Sequence, residues 1–192
     1  MALKIIYYLF AVMSLIALIE FIYSYFKKDN IYTLPETLGN MGHLIVRRVI
    51  NYKLTISHWT ILFIIYNFLD YPSKDFTILS FTWCFVLVDL FYYLYHFTAH
   101  KAPFFWAFHY SHHSGKNYNL TTPFRDSLFQ GYYFFIFFIP IVLIGTDPLL
   151  LLICYSINSL YQYSCHSQYL KFPKFLDCIF ITPRTHRVHH DQ

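Results

Sequence analysis

The chain has 192 residues, of which 57% are hydrophobic and 12% charged, whereas soluble domains carry about 25% charged residues. Aromatic residues reach 23%, more large apolar surface than a soluble protein of this size hides, and the same composition excludes intrinsic disorder and a collagen-like chain. The net charge of +4, from 14 Lys and Arg against 10 Asp and Glu, sits in short basic clusters between apolar runs, which reads as membrane flanks before nucleic-acid binding.

Crossing a bilayer takes about 20 largely apolar residues, and five segments approach that length: 5–26, 54–71, 76–97, 128–144 and 148–165. No small-x-small cleavage site follows the first, so it reads as a retained anchor. Segment 36–53 mixes apolar and basic residues and is expected along the membrane surface. The turns at 72–75 and 145–147 are short and rich in Gly, Pro or Asp, which makes helical hairpins of spans two and three and of spans four and five. The expected fold is an all-α integral membrane protein: one embedded domain over 1–192 with about five transmembrane helices, two hairpins plus an N-terminal anchor. With the N-terminus outside, twelve of the 14 Lys and Arg lie in inner segments, leaving Lys4 and Lys74 outside, so the inner face is cytosolic, in an endoplasmic reticulum or bacterial inner membrane. Glu20 is expected to snorkel from the inner end of the first span. The four cysteines lack C-x-x-C spacing and read as reduced, small hydrophobes.

Nine of eleven histidines lie between His96 and His190. The third span ends in His96-Phe-Thr-Ala-His100, which stacks two imidazoles on one helical face. After Pro103, a natural first-turn residue, a short helix stopped by Gly115 puts His109, His112 and His113 on one stripe. The same H-x-x-H-H spacing returns as His186-Arg-Val-His189-His190 behind Thr182-Pro183, a good N-cap and first-turn pair, and His166 ends the fifth span. All four groups reach the inner face of a topology set by Lys and Arg alone. Gathering so many imidazoles without a metal would leave buried nitrogens unpaired. Imidazole suits iron, copper, nickel and zinc. One four-coordinate zinc needs three or four ligands, whereas eight or nine histidines can hold two ions with positions open for oxygen or water. Two redox ions beside a bilayer suit oxygen chemistry on a lipid, while zinc would do hydrolytic or Lewis-acid work. Asp89, two turns before His96 on the same face, reads as an acceptor that orients a ligand imidazole. His43 and His58 fall outside the clusters, and Tyr92, Tyr93 and Tyr95 read as packing and interface aromatics.

The boxes H-F-T-A-H, H-Y-S-H-H and H-R-V-H-H resemble those of the fatty acid hydroxylase and sterol desaturase superfamily of membrane di-iron oxygenases, over about half the chain, 89–191. More narrowly, residues 112–127 and 182–190 are similar to its alkylglycerol monooxygenase-like clade. The resemblance implies His96, His100, His109, His112, His113, His166, His186, His189 and His190 as ligands of two iron ions, which zinc can replace during purification. It also implies Asn119 as a polar group beside the metal or the substrate. The expected reaction inserts an oxygen atom from O2 into a C–H bond of an ether lipid, fatty acyl chain or sterol, with hydroxylation ahead of desaturation. No haem segment accompanies the boxes, so electrons come from an external reductant: a reductase, a cytochrome or a pterin. Relatives continue past the third box, so the chain is expected to be cut short at its C-terminus, and an inactive truncated member is one alternative. Another is a non-redox metal protein, a zinc transporter or scaffold, although a transport path favours ionisable residues within several spans, and apart from Asp89 and Glu20 the interiors of the spans hold no Asp, Glu, Lys or Arg, Asp70 standing at the end of the second.

Overall fold

In the computed structural model, residues 2–71 and 76–191 are described and contain helices without strands; the turn expected at 72–75 lies outside them. Helices α1 (Ala2–Lys27) and α3 (Ile78–Lys101) are long and apolar enough to cross a membrane, with mean hydropathies of 2.0 over Tyr7–Lys27 and 1.6. Both turn large apolar residues outward, among them Tyr8, Leu15, Ile19 and Phe26 of α1 and Ile78, Trp83 and Val86 of α3, an arrangement that hydrocarbon tolerates and water does not. The inward stripe of α1 is Ala17, Glu20 and Ser24, at the spacing of one helical face. Glu20 is therefore buried, contrary to the expected snorkelling, because its carboxylate accepts from Tyr32, Ser167 and the backbone N–H of Leu120.

Helix α2 (Leu34–Phe68) follows Thr33, with Pro35 in its first turn, where the missing N–H costs no helical bond. It runs unbroken for 35 residues, about 50 Å at about 1.5 Å per residue. The segment expected on the membrane surface and the second expected span are thus one rod, since no Gly or Pro lies between Gly42 and Pro72 to part them. Helix α3 opens on a capping box: Thr77 Oγ1 accepts from Ser80 N at 3.1 Å and Ser80 Oγ from Thr77 N at 2.9 Å. It closes at Ala102, which stands in extended backbone because the next residue, Pro103, disfavours a helical one. Helix α4 (Pro103–His113) starts at once and packs on α3.

The span expected at 128–144 is broken into α5 (Gln130–Phe134), a 3₁₀ turn (Phe135–Phe138) and α6 (Ile139–Leu143). Pro140 accounts for the break: it donates no bond, and Ile139 N–H closes on Ile136 O, three residues back. Gly131 is needed where α5 meets α2, since a Cβ there would stand 2.6 Å from Asn51 Oδ1. The turn expected at 145–147 is present, with Gly145 at φ 86°. Asp147 caps α7 (Pro148–Ser164), its Oδ1 accepting from Leu149 N at 2.7 Å and Leu150 N at 3.1 Å. Helix α7 is central: Leu151, Leu152 and Cys154 are fully buried, and the main core joins Leu62 of α2, Val88 of α3, Ile141 of α6 and Leu151 of α7. Helix α8 (Pro183–His190) has the expected Thr182 cap, in a capping box with Thr185. All four cysteines are free thiols.

Polar bonds seat the loop after α4 on the first half of α2. Asn40 Nδ2 donates to Thr121 Oγ1 at 2.8 Å, Arg125 pairs with Glu36 at 2.9 Å, and Arg47 pairs with Asp126 at 3.1 Å. Asn40 is 1% exposed, so Asn40→Ala strips a buried bond and should cost about 1–3 kcal/mol. Thermal unfolding in detergent is expected to show a lower midpoint for that variant, while Tyr52→Ala, at an exposed site on the same helix, should leave it nearly unchanged.

Candidate metal centre

The centre is assembled from four short stretches, each placed by a local signal. One turn of α3 carries His96 and His100; the Pro103 start folds α4 back so that His109, His112 and His113 meet them; the Thr182 cap starts α8 four residues before His186. His166 stands in the turn just after α7, its Nδ1 3.1 Å from the carbonyl of Gln162. Carbonyl oxygen only accepts, so Nδ1 carries the proton and Nε2 presents a lone pair.

All nine histidines expected at the site converge there. His166 Nε2 lies 3.2 Å from His112 Nε2 and 3.1 Å from His186 Nε2; His96 Nε2 lies 2.9 Å from His189 Nε2, and His109 Nε2 3.3 Å from His113 Nε2. The potential ligand nitrogens fall into groups whose members stand within 4.8 Å of one another: His112, His166, His186 and His190; His96, His100 and His109; His100, His113 and His189. The last two share His100, so the nine divide into a four-histidine set and a five-histidine set. His113 and His190 bridge the two sets, stacked with ring centroids 4.2 Å apart.

Hydrogen bonds among the rings leave this arrangement incomplete. The single lone pair of His166 Nε2 faces two other ring nitrogens, while His100 Nε2 and His190 Nε2 are buried with no hydrogen-bond partner. Burial first, and neighbouring imidazoles second, hold His109, His112, His186 and His190 well below the usual histidine range and His113 at about 3. Burial brings His166 to about 4. At neutral pH these are uncharged nitrogen donors aimed at shared points, the state and geometry in which imidazole binds first-row metals, iron among them. The residues fit a metal centre of that class.

Other expected participants stand apart. Asp89 is exposed and its Oδ1 accepts from Asn158 Nδ2 at 3.0 Å, so its observed partner is an amide on α7, where an imidazole was expected. Asn119 is fully buried, but its amide donates to Ile31 O at 2.8 Å and its Oδ1 accepts from Thr121 N at 2.8 Å and Thr121 Oγ1 at 2.7 Å. It pins a loop and makes no described bond to a histidine. His43 faces the Phe124 carbonyl and His58 stacks on Phe135, both away from the cluster as expected. Tyr95 packs among Phe134 and Phe137, also as expected. Sequence reasoning missed Tyr118, whose ring stacks on His166 at 5.4 Å and whose hydroxyl donates to Cys165 O at 2.8 Å. Trp106, 5.1 Å from His100 and 5.5 Å from His113, flanks the five-histidine set. Among so many aromatics only the three-residue step from Trp106 to His109 could have hinted at it.

The family model for fatty acid hydroxylase matches residues 81–192. Alkylglycerol monooxygenase of Danio rerio is 36% identical over 127 residues, 65% of this chain and 27% of the relative. The Homo sapiens enzyme of that name is 39% identical over 111 residues, 57% of this chain and 25% of its own, and the Caenorhabditis elegans one 35% identical over 117 residues, 57% and 22%. The chain thus spans about a quarter of the length of these curated relatives. No solved structure matches it. The match embraces all nine converging histidines and more than half of the sequence, and the chain belongs to the fatty acid hydroxylase family.

Proposed function

We propose that this protein is a membrane-bound oxygenase that hydroxylates a C–H bond of a lipid, with two iron ions held by the nine histidines. One observation carries the reading: nine imidazoles gather as a four-membered and a five-membered set where the apolar helix α3 and the end of α7 meet the short helices α4 and α8. In this reading one ion sits among His112, His166, His186 and His190, and the other among His96, His100, His109, His113 and His189. Bound iron, with O2 and electrons from an external reductant, supplies the oxidising power that no side chain has. The chain's own part is to hold uncharged nitrogen donors in place, to screen them with Trp106 and Tyr118, and to admit an apolar substrate. A lipid already dissolved in the bilayer reaches the site laterally along the exposed apolar faces of α1 and α3.

The relatives' name, alkylglycerol monooxygenase, makes an ether lipid the leading substrate. Oxygen inserted beside the ether oxygen produces a hemiacetal, which breaks down to an alcohol and an aldehyde. We further propose that the chain crosses the membrane five times and opens the histidine site to the cytosol, where a reductase, cytochrome or pterin delivers electrons. The Lys and Arg distribution supports that orientation, and α1 and α3 are two of the crossings. The broken α5–α6 stretch serves as the fourth.

Two measurements test these assignments. Metal analysis of anaerobically purified protein should find two ions per chain, and His186→Ala should cost the ion of the four-histidine set; a single ion in the unsubstituted protein would overturn the two-metal assignment. Labelled ether lipid, fatty acid and sterol, supplied in parallel with a reductant under oxygen and under nitrogen, should give an oxygen-dependent product from the ether lipid first. Product formed equally under nitrogen would sink the oxygenase reading, whereas oxidation of the sterol or fatty acid alone would remove only the substrate.

A further inference from the structure

Among the described residues Glu20 is the one buried carboxylate, 6% exposed on a helix that otherwise turns apolar residues outward. It lies outside the stretch that matches the family model. A carboxylate is costly in such a place unless donors satisfy it, and three do. Tyr32 donates its hydroxyl to Oε1 at 2.8 Å, the backbone N–H of Leu120 donates to the same oxygen at 3.2 Å, and the hydroxyl of Ser167 donates to Oε2. These donors come from three separate places: the α1–α2 connector, the loop after α4, and the turn after α7.

Two of the three donors flank His166. Ser167 is the next residue, and its hydroxyl also accepts from the N–H groups of Tyr169 and Leu170, each at 3.2 Å, which makes it the hub of that turn. Leu120 is two residues beyond Tyr118, whose ring lies against the imidazole of His166, and Gln168 Nε2 ties the same loop back to the turn by donating to Tyr118 O at 2.6 Å. Glu20 thus holds both the backbone that carries His166 and the aromatic plate that covers it. Its other donor stays fixed as well: burial, and then the charge of Glu20, push the Tyr32 phenol far above its ordinary range, so it remains a proton donor.

We propose that Glu20 is a positioning residue for the four-histidine set: by clamping Ser167 and Leu120 it fixes how His166 Nε2 is presented beside His112 and His186. This rests on the metal reading above. A leucine could occupy the space between Ala17 and Ser24, but it could not hold three donors in register.

The test uses purified full chain loaded with cobalt(II), whose visible absorption reports ligand geometry, alongside a cobalt titration and thermal unfolding. Glu20→Gln keeps the shape but turns one acceptor oxygen into an N–H₂, which the Leu120 N–H cannot meet, and the Ser167 hydroxyl already accepts two backbone N–H groups, so the three bonds cannot all be kept. Ser167→Ala removes one donor, together with the acceptor of the Tyr169 and Leu170 N–H groups, and leaves Glu20 in place. Tyr163→Phe is the control: it deletes another bond to α1, the 3.0 Å contact with Met13 O, and leaves the three donors to Glu20 in place. Unsubstituted protein and Tyr163→Phe should bind two cobalt ions with the same spectrum. Glu20→Gln should bind one of the two about 10- to 100-fold more weakly, the loss typical when a supporting hydrogen bond to a ligand is removed, and its absorption band should shift. Ser167→Ala should change both readings in the same direction by less. If Glu20→Gln does not fold, Ser167→Ala decides. Unaltered affinity and spectrum in the folded variants, even with lowered thermal midpoints, would make Glu20 a purely structural residue and overturn the proposal alone. An unsubstituted chain that takes up no cobalt overturns the metal reading and this proposal with it.

Discussion

Uncharged ring nitrogens crowded around shared points are the constraint to which the rest of the molecule answers. An imidazole buried without a partner loses hydration and gains nothing in return. Here four Nε2-to-Nε2 approaches fall between 2.9 and 3.3 Å, and further buried ring nitrogens have no partner. Such packing calls for a stiff surrounding backbone, and the lone pairs it gathers are the kind a first-row metal ion accepts. Stiffness is supplied by short capped elements: the Pro103 restart of the helix, the Thr182 capping box, and the bond from His166 to the Gln162 carbonyl.

A second tier of polar bonds supports that stiffness from outside the histidine segment. The first half of α2 and the α1–α2 connector grip the loop after α4 through Asn40, Glu36 and Arg47 and through the carbonyl of Ile31. Glu20 adds the turn that carries His166. The N-terminal helices thus do more than pack on the rest of the chain, because they hold the loop after α4 and the turn that carries His166. That tier of bonds explains why a chain so rich in exposed apolar residues keeps asparagines and threonines fully buried in one zone: each is hydrogen bonded there, and the bonds of Asn40 to Thr121 and of Asn119 to Ile31 join segments far apart in sequence.

The apolar exterior and the histidine cluster meet at α3. Exposed side chains on α1 and α3 let the protein be solvated by hydrocarbon, and α3 runs directly into His96 and His100. In the reaction proposed for the site, a lipid would follow that helix from the bilayer to the nitrogen cluster.

Much of this was legible in the sequence because the relevant signals are local. Steps of three and four residues put histidines on common helical faces, and Pro103, Gly145, Asp147 and the Thr182-Pro183 pair mark starts and stops through backbone geometry that depends on little else. The helical class, the membership of the histidine cluster and the family follow from those patterns. Only the tertiary structure decided that the nine divide into sets of four and five, that His166 belongs with His112, His186 and His190, that Tyr118 covers it, that Asp89 meets Asn158, and that Glu20 points inward. The continuous α2 and the break before Pro140 were likewise invisible to hydropathy, which averages over a window and does not sense where one backbone bond is missing. Periodicity states which residues share a face; which faces then meet, and so whether a carboxylate such as Glu20 is buried among donors or left to seek water, depends on contacts between segments as far apart as residues 20 and 167.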